Sequence, residues 1–414
     1  MLKMEDALTQ ILAAAHPLNA IETPLLSALG SYLAEEVFAD IDLPPFDNSA
    51  VDGYAVRAED TAGASSASPV MLREVGGVAA GGMPEGAVTA GTAYRIMTGA
   101  PMPTGANAVV MIEDTRNALA REGTFDYVEI HEAAVPEQHV RRAGEDLRTG
   151  ARVLEVGARI RPPEIAMLAT MGRATVRTGR APRVAVFSTG DELVDISTGA
   201  IPPPGHIRDS NRYTLAAMVR DAGAIVHSIG RLPDDPDATE EALRTAADPN
   251  TGVDVILTAG GVSVGDRDYV KPAVEKLGVL SLWRVAIKPG KPLAFGQIGR
   301  ALFFGLPGNP ISAMVTFELF ARPALLQMAG GRGDDLHRRK VMATLLEPIP
   351  HVPARREYVR AVTAWRNGAF ETRVSGKQGS GMLQSAVAAN SLLVIPEHSD
   401  GLEAGAVVEV LLID

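Results

Sequence analysis

The sequence predicts a multidomain α/β protein: a doubly wound α/β domain, two small β-rich domains and a mixed helical N-terminal domain. The first observation is the alternation of apolar strand-like runs with helical segments over residues 179–330, which is typical of a mostly parallel sheet with helices on both faces. The second is a set of short strand-like runs divided by Gly and Pro turns, without intervening helices, over residues 46–142 and 331–414. A chain of 414 residues is long enough for several such domains, at about 150 residues each.

The predicted α/β domain contains four clear strands, at Arg183–Phe187, Ala224–Ile229, Val253–Thr258 and Ala301–Phe304, and ends in a long helix from Asn309 to Met328. Ahead of it, residues 1–45 and 143–178 form one mixed domain into which the β-domain of residues 46–142 is inserted. The first segment contains a helix from Met4 to Ala15. A second short helix is predicted near Thr23–Pro24, because threonine caps helices and proline suits the first turn.

Composition narrows the classes of function. The net charge of −11 argues against a broadly basic nucleic-acid-binding surface. The absence of cysteine excludes disulfides, cysteine-ligated zinc, iron–sulfur clusters and thiol catalysis. No apolar run reaches the roughly 18 residues of a membrane span, and the acidic N-terminus with Glu5 and Asp6 does not resemble a signal peptide. We therefore expect a cytoplasmic protein that binds neither nucleic acid nor membranes.

Three glycine-containing loops follow strands of the predicted sheet, at Ser188–Leu193, Thr258–Asp268 and Gly305–Ser312. Ligands of open parallel sheets bind beyond the carboxyl ends of the strands, and glycines let backbone N–H groups approach an anion there. Asp191, Glu192 and Asp268 would repel a phosphate unless a divalent cation lay between them, and hard oxygen ligands suit Mg²⁺. The alternative is that Asp268 and Asn309 only cap helices.

Other motifs allow two interpretations. Lys288 and Lys291 flank a Pro-Gly turn and could bind an oxyanion by point charge, or could be ordinary solvated lysines. Gly261–Gly265 fits the G-x-S-x-G pattern of hydrolases, but the loop is longer than a nucleophile elbow, and His337, His351 and His398 lie outside the predicted sheet. Asp52 and Asp146 lie in turns, where they most simply accept backbone N–H groups. No P-loop or dinucleotide-binding motif is present.

Seven motifs occur in an order typical of one family: FDNSAVDGYAV, RIMTGAPMP, GED, STGDELV, TAGGVSVGD, KPGKP and GLPGNP. The chain resembles the MoeA family of molybdopterin molybdenumtransferases, which includes the C-terminal domain of gephyrin. The resemblance covers the whole length and is weaker beyond residue 330. It implies four domains, a homodimer and a molybdopterin-binding α/β domain. The reaction that it implies is the insertion of molybdate into adenylylated molybdopterin, with release of AMP assisted by Mg²⁺.

The resemblance and the loops together assign the site. The predicted catalytic residues are Asp52, Asp146, Glu192, Asp234, Asp268 and Lys288. The predicted metal ligands are Asp191, Glu192 and Asp268. The predicted substrate-binding residues are Thr98, Gly260, Gly261, Ser263, Gly265, Arg284, Lys291, Pro307, Asn309, Ser312, Arg355 and Ser380. By resemblance, Asp52, Thr98 and Asp146 reach the cleft from the β-domain of the partner subunit, and Arg355 and Ser380 contact molybdate.

Two alternatives remain at this stage. A molybdopterin adenylyltransferase shares the α/β fold, but that enzyme is typically a single small domain. A gephyrin-like scaffold would bind receptors, but this chain has no long linker and no fused second domain. The expected partners are a second copy of the chain, a molybdopterin adenylyltransferase and apo-molybdoenzymes.

Overall fold

The structure is a computed structural model that describes residues 1–118, 127–262 and 269–413. The chain forms two compact units. The larger contains Met1–Glu35 and Glu155–Asp414, and the smaller contains Glu36–Leu154. The division into four domains at the boundaries given above stays a prediction.

The centre of the larger unit is a six-stranded sheet. Its strands are β1 (Arg183–Thr189), β2 (Ile225–Leu232), β3 (Val255–Ala259), β4 (Gly278–Arg284), β5 (Pro292–Ile298) and β6 (Ala301–Leu306). The spatial order is β2-β1-β3-β6-β5-β4. The first four of these are mutually parallel, while β5 and β4 run antiparallel to their neighbours. The predicted mostly parallel sheet is confirmed, and its order reverses between β1 and β3.

Helices cover both faces of this sheet. They are α1 (Asn211–Asp221), α2 (Pro236–Ala246), α3 (Val270–Leu277) and α4 (Pro310–Thr316). Alternation along each strand explains the two layers. Val184 and Val186 pack in one buried cluster with Leu215 of α1, whereas Ala185 packs in another with Leu243 of α2. The doubly wound architecture follows from strands that are apolar on both faces.

The predicted long helix after β6 is present but not uniform. After α4, a π-helical turn occupies Phe317–Ala321, and an α-helix continues from Arg322 to Met328. Pro323 lacks the N–H that would donate to the carbonyl four residues earlier, so the turn before it is widened. The helix nevertheless remains buried through Phe317, Phe320 and Leu325.

The N-terminal part of the larger unit combines helices with a two-stranded sheet. Helices run over Met4–Ala14 and Pro162–Thr170, and the strand Ala20–Pro24 pairs antiparallel with Thr175–Gly179. The predicted second helix near Thr23–Pro24 was therefore wrong, and only a 3₁₀ turn at Leu25–Ala28 follows. The strand is favoured over the helix because Thr23 pairs with Val176 in the antiparallel ladder and the Thr23 hydroxyl lies 2.7 Å from that of Thr178.

The C-terminal part of the larger unit is a closed ring of five strands. In spatial order they are Arg356–Arg366, Ala369–Val374, Lys340–Leu345, Val407–Leu412 and Ser391–Ile395, the last of which pairs again with the first. The short strand Ile287–Lys288 adds to Arg356–Arg366 in parallel. Shorter elements are the strand pairs Leu193–Val194 with Ile207–Arg208 and Ile349–Pro350 with Gly401–Leu402, and the helix Leu383–Val387.

The smaller unit is β-rich, as predicted. Its main sheet contains, in spatial order, Ala108–Met111, Gly53–Val56, Thr92–Ile96, Val70–Val78, Tyr127–Ile130 and Thr115–Ala118. Two short pairs accompany it, Asn48–Ser49 with Val140–Arg141 and Val37–Phe38 with Arg152–Leu154. Tyr54, Ile96 and Ile130 are among its fully buried side chains.

Candidate active site

Three glycine-containing loops meet where the strand order reverses. The backbone N–H of Gly260, after β3, donates to the carbonyl of Leu306 at the end of β6 over 2.9 Å. Gly260 has a φ of +94°, and a Cβ there would lie 2.8 Å from Oγ1 of Thr189, the last residue of β1. A Cβ on Gly308 would lie 3.5 Å from Cα of Gly260. The three strand ends are thus so close that only glycine fits at Gly260.

Exposed carboxylates border this meeting point. Asp191 and Glu192 lie in the loop after β1 and are exposed, while Asp234 follows β2 and is half-buried. An Asp234 carboxylate oxygen accepts the backbone N–H of Asp191 at 3.3 Å, which joins the two loops. The carboxylates of Asp191 and Glu192 have no ion-pair partner among the described residues. Two exposed carboxylates without an ion-pair partner in that part of the chain suit a cation that bridges to an anion.

A buried polar cluster around Asp209 and Arg212, which the sequence analysis missed, holds the same loops in place. Asp209 is fully buried and accepts a 2.5 Å hydrogen bond from the hydroxyl of Ser188, near the end of β1. Arg212 forms ion pairs with Asp209 and with Asp195, which follows the short strand Leu193–Val194. The amide of Asn211 donates to the carbonyl of Gly308 at 2.7 Å. The start of α1 therefore fixes two of the three loops, which neither spacing nor composition of this segment revealed.

The capping alternative can be judged at one of its two positions. Asn309 occupies the N-cap position of α4, but its exposed side chain makes no capping hydrogen bond with the described residues. Its amide therefore remains available to a ligand. Pro307, two residues earlier, is buried and continues the β6 strand into the turn. Ser263, Gly265 and Asp268 lie outside the described residues, which include only Gly261 and Val262 of the G-x-S-x-G pattern.

A second group of predicted residues surrounds the Lys288–Pro292 turn. Gly290 has a φ of +111°, and a Cβ there would lie 2.5 Å from Cγ2 of Thr316 and 3.6 Å from the carbonyl of buried Ser312. A guanidinium nitrogen of Arg355 donates to the carbonyl of Ile287 at 3.4 Å. The Lys288 ammonium lies 2.9 Å from Glu357. Lys288, Ser312 and Arg355 are therefore brought to one turn.

Ser380 is linked to α4 by a backbone hydrogen bond. Its carbonyl accepts the N–H of Ile311, in the first turn of α4, at 3.1 Å. The segment around it is held by Arg360, which is almost fully buried and donates to Ser385 Oγ and to the carbonyls of Lys377 and Gly379. Burial lowers the pKa of the Arg360 guanidinium below its usual value. Arg360 thus supports Ser380 without being exposed itself.

Two predicted substrate-binding residues of this unit, Arg284 and Lys291, contact the rest of the fold through their backbone carbonyls. Arg284 is exposed, and its carbonyl accepts the N–H of Leu2. Lys291 is exposed and its carbonyl accepts the N–H of Val285, without an ion pair to any described residue. Their substrate-binding roles stay predictions.

In the smaller unit, Asp52 and Thr98 form a pair. The exposed Asp52 carboxylate accepts the backbone N–H of Thr98 at 2.6 Å and its hydroxyl at 2.7 Å. These two hydrogen bonds lower the pKa of Asp52. Asp146 is exposed, and its backbone N–H donates to Leu43.

Comparison with known proteins identifies the family. Residues 2–172 match the model for the MoeA N-terminal region (domain I and II), residues 185–327 that for a probable molybdopterin binding domain, and residues 342–413 that for the MoeA C-terminal region (domain IV). A molybdopterin molybdenumtransferase of Haemophilus influenzae is 36% identical over 388 residues, 93% of this chain and 92% of that protein. Molybdopterin molybdenumtransferase 2 of Mycobacterium tuberculosis is 40% identical over 398 residues, 94% of each chain. The chain belongs to the MoeA family.

Solved structures agree with this assignment. The crystal structure of the molybdopterin biosynthesis moeA protein from Pyrococcus horikoshii OT3 superposes with a TM-score of 0.83 at 33% identity and covers all of both chains. A molybdenum cofactor biosynthesis protein from Pyrococcus furiosus, at 22% identity and a TM-score of 0.60, shares the fold. The resemblance inferred from the seven motifs is thereby confirmed.

The described residues of this MoeA-family chain contain no preformed metal site. Within residues 1–118, 127–262 and 269–413, no group of three His, Asp or Glu side chains lies close enough to hold a metal ion. The predicted ligand Asp268 lies outside those ranges. No helix in the same ranges has the length and apolar character needed to cross a bilayer.

Proposed function

We propose that this MoeA-family chain is a molybdopterin molybdenumtransferase that inserts molybdate into adenylylated molybdopterin, with Mg²⁺-dependent release of AMP. The observation that carries the proposal is the meeting of Gly260 and Gly308 with Thr189 beside the exposed carboxylates of Asp191 and Glu192. A pyrophosphate needs close backbone N–H donors, and carboxylates beside it need a cation. The reaction class follows from the chain's relatives, which are molybdopterin molybdenumtransferases.

We propose roles for the residues on this basis. Gly260, Gly261 and Asn309 would face the phosphate and pterin portions, since the glycines lack side chains at the meeting point of the loops and the Asn309 amide makes no capping hydrogen bond with the described residues. Glu192 and Asp191, with Asp268, would hold Mg²⁺, and Asp234 orients Asp191 through its hydrogen bond. When bound, the cation would offset negative charge on the pyrophosphate. Ser263 and Gly265 are proposed to bind the same portions of the substrate, because they belong to the glycine-containing loop of Thr258–Asp268.

The second group, around Lys288, is proposed to bind molybdate. Lys288 and Arg355 supply positive charge, and Ser312 and Ser380 supply hydroxyl groups, at a turn that Gly290 brings against α4. The chain as a whole is acidic, so an oxyanion needs local cations of this kind. Lys291 and Arg284, both exposed, would extend the positive field.

The remaining predictions belong to the same proposal. Asp52, Thr98 and Asp146 are proposed to take part in the reaction, and the functional form is proposed to be a cytoplasmic homodimer. The substrate would come from a molybdopterin adenylyltransferase, and the product would pass to apo-molybdoenzymes.

The test supplies adenylylated molybdopterin, molybdate and Mg²⁺ to the purified protein. We expect stoichiometric AMP release and activation of an apo-molybdoenzyme, both dependent on molybdate. Consumption of ATP with molybdopterin would instead indicate the adenylyltransferase. No molybdate-dependent turnover, together with capture of a receptor-like protein, would indicate a scaffold.

A further inference from the structure

Lys288 is held by a carboxylate from another part of the fold. The strand Ile287–Lys288 pairs in parallel with the start of Arg356–Arg366, so that Lys288 stands opposite Glu357. The Lys288 ammonium lies 2.9 Å from Oε1 of Glu357. The lysine side chain is 53% exposed, whereas that of the glutamate is 11% exposed. One partner is therefore anchored in the fold while the other reaches solvent.

The second oxygen of Glu357 is held as well. Nδ1 of His351 lies 2.9 Å from Oε2 of Glu357, and the His351 side chain is 2% exposed. An ionised carboxylate only accepts hydrogen bonds, so His351 Nδ1–H donates. Nε2 of His351 is buried without a hydrogen-bond partner in the described structure. The imidazole therefore serves Glu357 alone, and both oxygens of the carboxylate are fixed in direction.

This arrangement has two consequences for an anion near Lys288. The Lys288 ammonium has three N–H donors, one of which is used by Glu357. The other two can bind a ligand, and the contact with Glu357 fixes the position of the ammonium that offers them. The carboxylate charge also opposes any anion bound there, because Oε1 of Glu357 lies only 2.9 Å from the ammonium that would hold the anion. Glu357 therefore both fixes the position of the Lys288 ammonium and weakens the attraction of that ammonium for an anion.

We infer that Glu357, anchored by His351, is a positioning residue that orients Lys288 and weakens its hold on the oxyanion substrate. The inference rests on the proposed function, in which Lys288 binds molybdate. A weaker hold favours transfer, since an oxyanion bound too tightly in the ground state does not react faster. Neither Glu357 nor His351 contacts the substrate in this scheme.

The first experiment measures binding of molybdate alone by isothermal titration calorimetry. We expect Glu357→Gln to tighten binding roughly fivefold, since the amide keeps a hydrogen bond to Lys288 but removes the opposing charge. Glu409→Gln is the matched control: it removes the same charge from the same ring of strands, where Glu409 faces Lys340 at 3.4 Å. The control should bind molybdate as the wild type does.

The second experiment combines variants. Lys288→Met should weaken binding at least about tenfold, and Glu357→Gln should have no further effect in that background. If Lys288→Met binds normally, the proposed role of Lys288 fails. If Lys288→Met weakens binding but Glu357→Gln alone binds like the wild type or more weakly, only the present inference is overturned.

Steady-state turnover separates positioning from general damage. Glu357→Gln should lower both kcat and the KM for molybdate, whereas a merely structural defect would not lower KM. His351→Asn keeps the carboxylate charge but removes its anchor, so we expect a lower kcat with molybdate affinity within about twofold of the wild type. This variant tests positioning even where Glu357→Gln folds poorly. An unchanged kcat in a folded His351→Asn protein would overturn the role of the anchor.

Discussion

Asp52 and Thr98 make a two-point contact at the surface of the smaller unit: one carboxylate oxygen accepts both the backbone N–H and the hydroxyl of Thr98. The geometry has a close structural match elsewhere in the same unit. Asp42 accepts the N–H of Thr149 at 2.7 Å and its hydroxyl at 2.8 Å. The chain thus contains one pair within the family motifs and one outside them, which permits a controlled comparison.

Asp52→Ala is expected to lower molybdate-dependent AMP release about 10²-fold, if the carboxylate acts in the reaction as proposed. Asp42→Ala removes an equivalent pair of hydrogen bonds and should keep turnover within about twofold. Thermal melts should show similar losses of stability for the two variants. Equal turnover in the Asp52→Ala and Asp42→Ala proteins would mean that Asp52 only stabilises the local turn and does not act in the reaction.

Acid stability of the smaller unit should depend on Asp47. Its pKa is lowered by a hydrogen bond from the N–H of Ala143 and by the guanidinium of Arg142. A lowered pKa means that ionised Asp47 stabilises the fold above its ordinary pKa of 3.8, and that this contribution is lost as the pH falls through the folded-state value. Asp47→Asn should therefore be less stable near neutral pH and lose less stability as the pH falls below about 3.8. Parallel curves of melting temperature against pH for variant and wild type would contradict this.

Glu192→Ala should retain the fold and lose most turnover. The side chain is exposed and has no ion-pair partner in the described ranges, so its removal costs little packing. Its proposed role is to hold Mg²⁺, so the residual activity should require a higher Mg²⁺ concentration. Glu241→Ala, which removes an exposed carboxylate of α2, is the control. AMP release measured over a Mg²⁺ titration checks both, and a wild-type rate in Glu192→Ala would refute the role.

Gly260→Ala should damage both fold and site. The added Cβ would meet Oγ1 of Thr189 at 2.8 Å, and the backbone would keep a left-handed φ of +94°. We expect a loss of about 2–3 kcal/mol in the free energy of unfolding, of which about 1–2 kcal/mol reflects the left-handed conformation alone. Gly223→Ala isolates that second part, since Gly223 has a φ of +76° and open space around it. Chemical denaturation distinguishes the two, and equal losses would show that the loops do not press on Gly260.

Much of the fold is predictable from the sequence. Alternating apolar runs predicted β1, β3 and β6 and the helices between them, because a strand buried on both faces leaves a continuous apolar segment. The Gly-rich loops were correctly placed after those strands. The misassigned helix at Thr23–Pro24 shows the limit, since a cap residue followed by proline also suits the end of a strand that pairs with Thr175–Gly179.

Along the chain, Lys288 is identifiable as a lysine beside a Pro-Gly turn, and Asp191 and Glu192 as carboxylates after a strand. Local sequence determined this much, because turn chemistry and strand periodicity act over a few residues. Which groups oppose them was decided only by the tertiary structure. Glu357 comes from the C-terminal ring of strands and reaches Lys288 through a strand pairing that no local pattern encodes, and His351, which precedes that strand, holds Glu357. Charges act over distances in space, so the partner of a cation is fixed by packing and not by its neighbours in sequence.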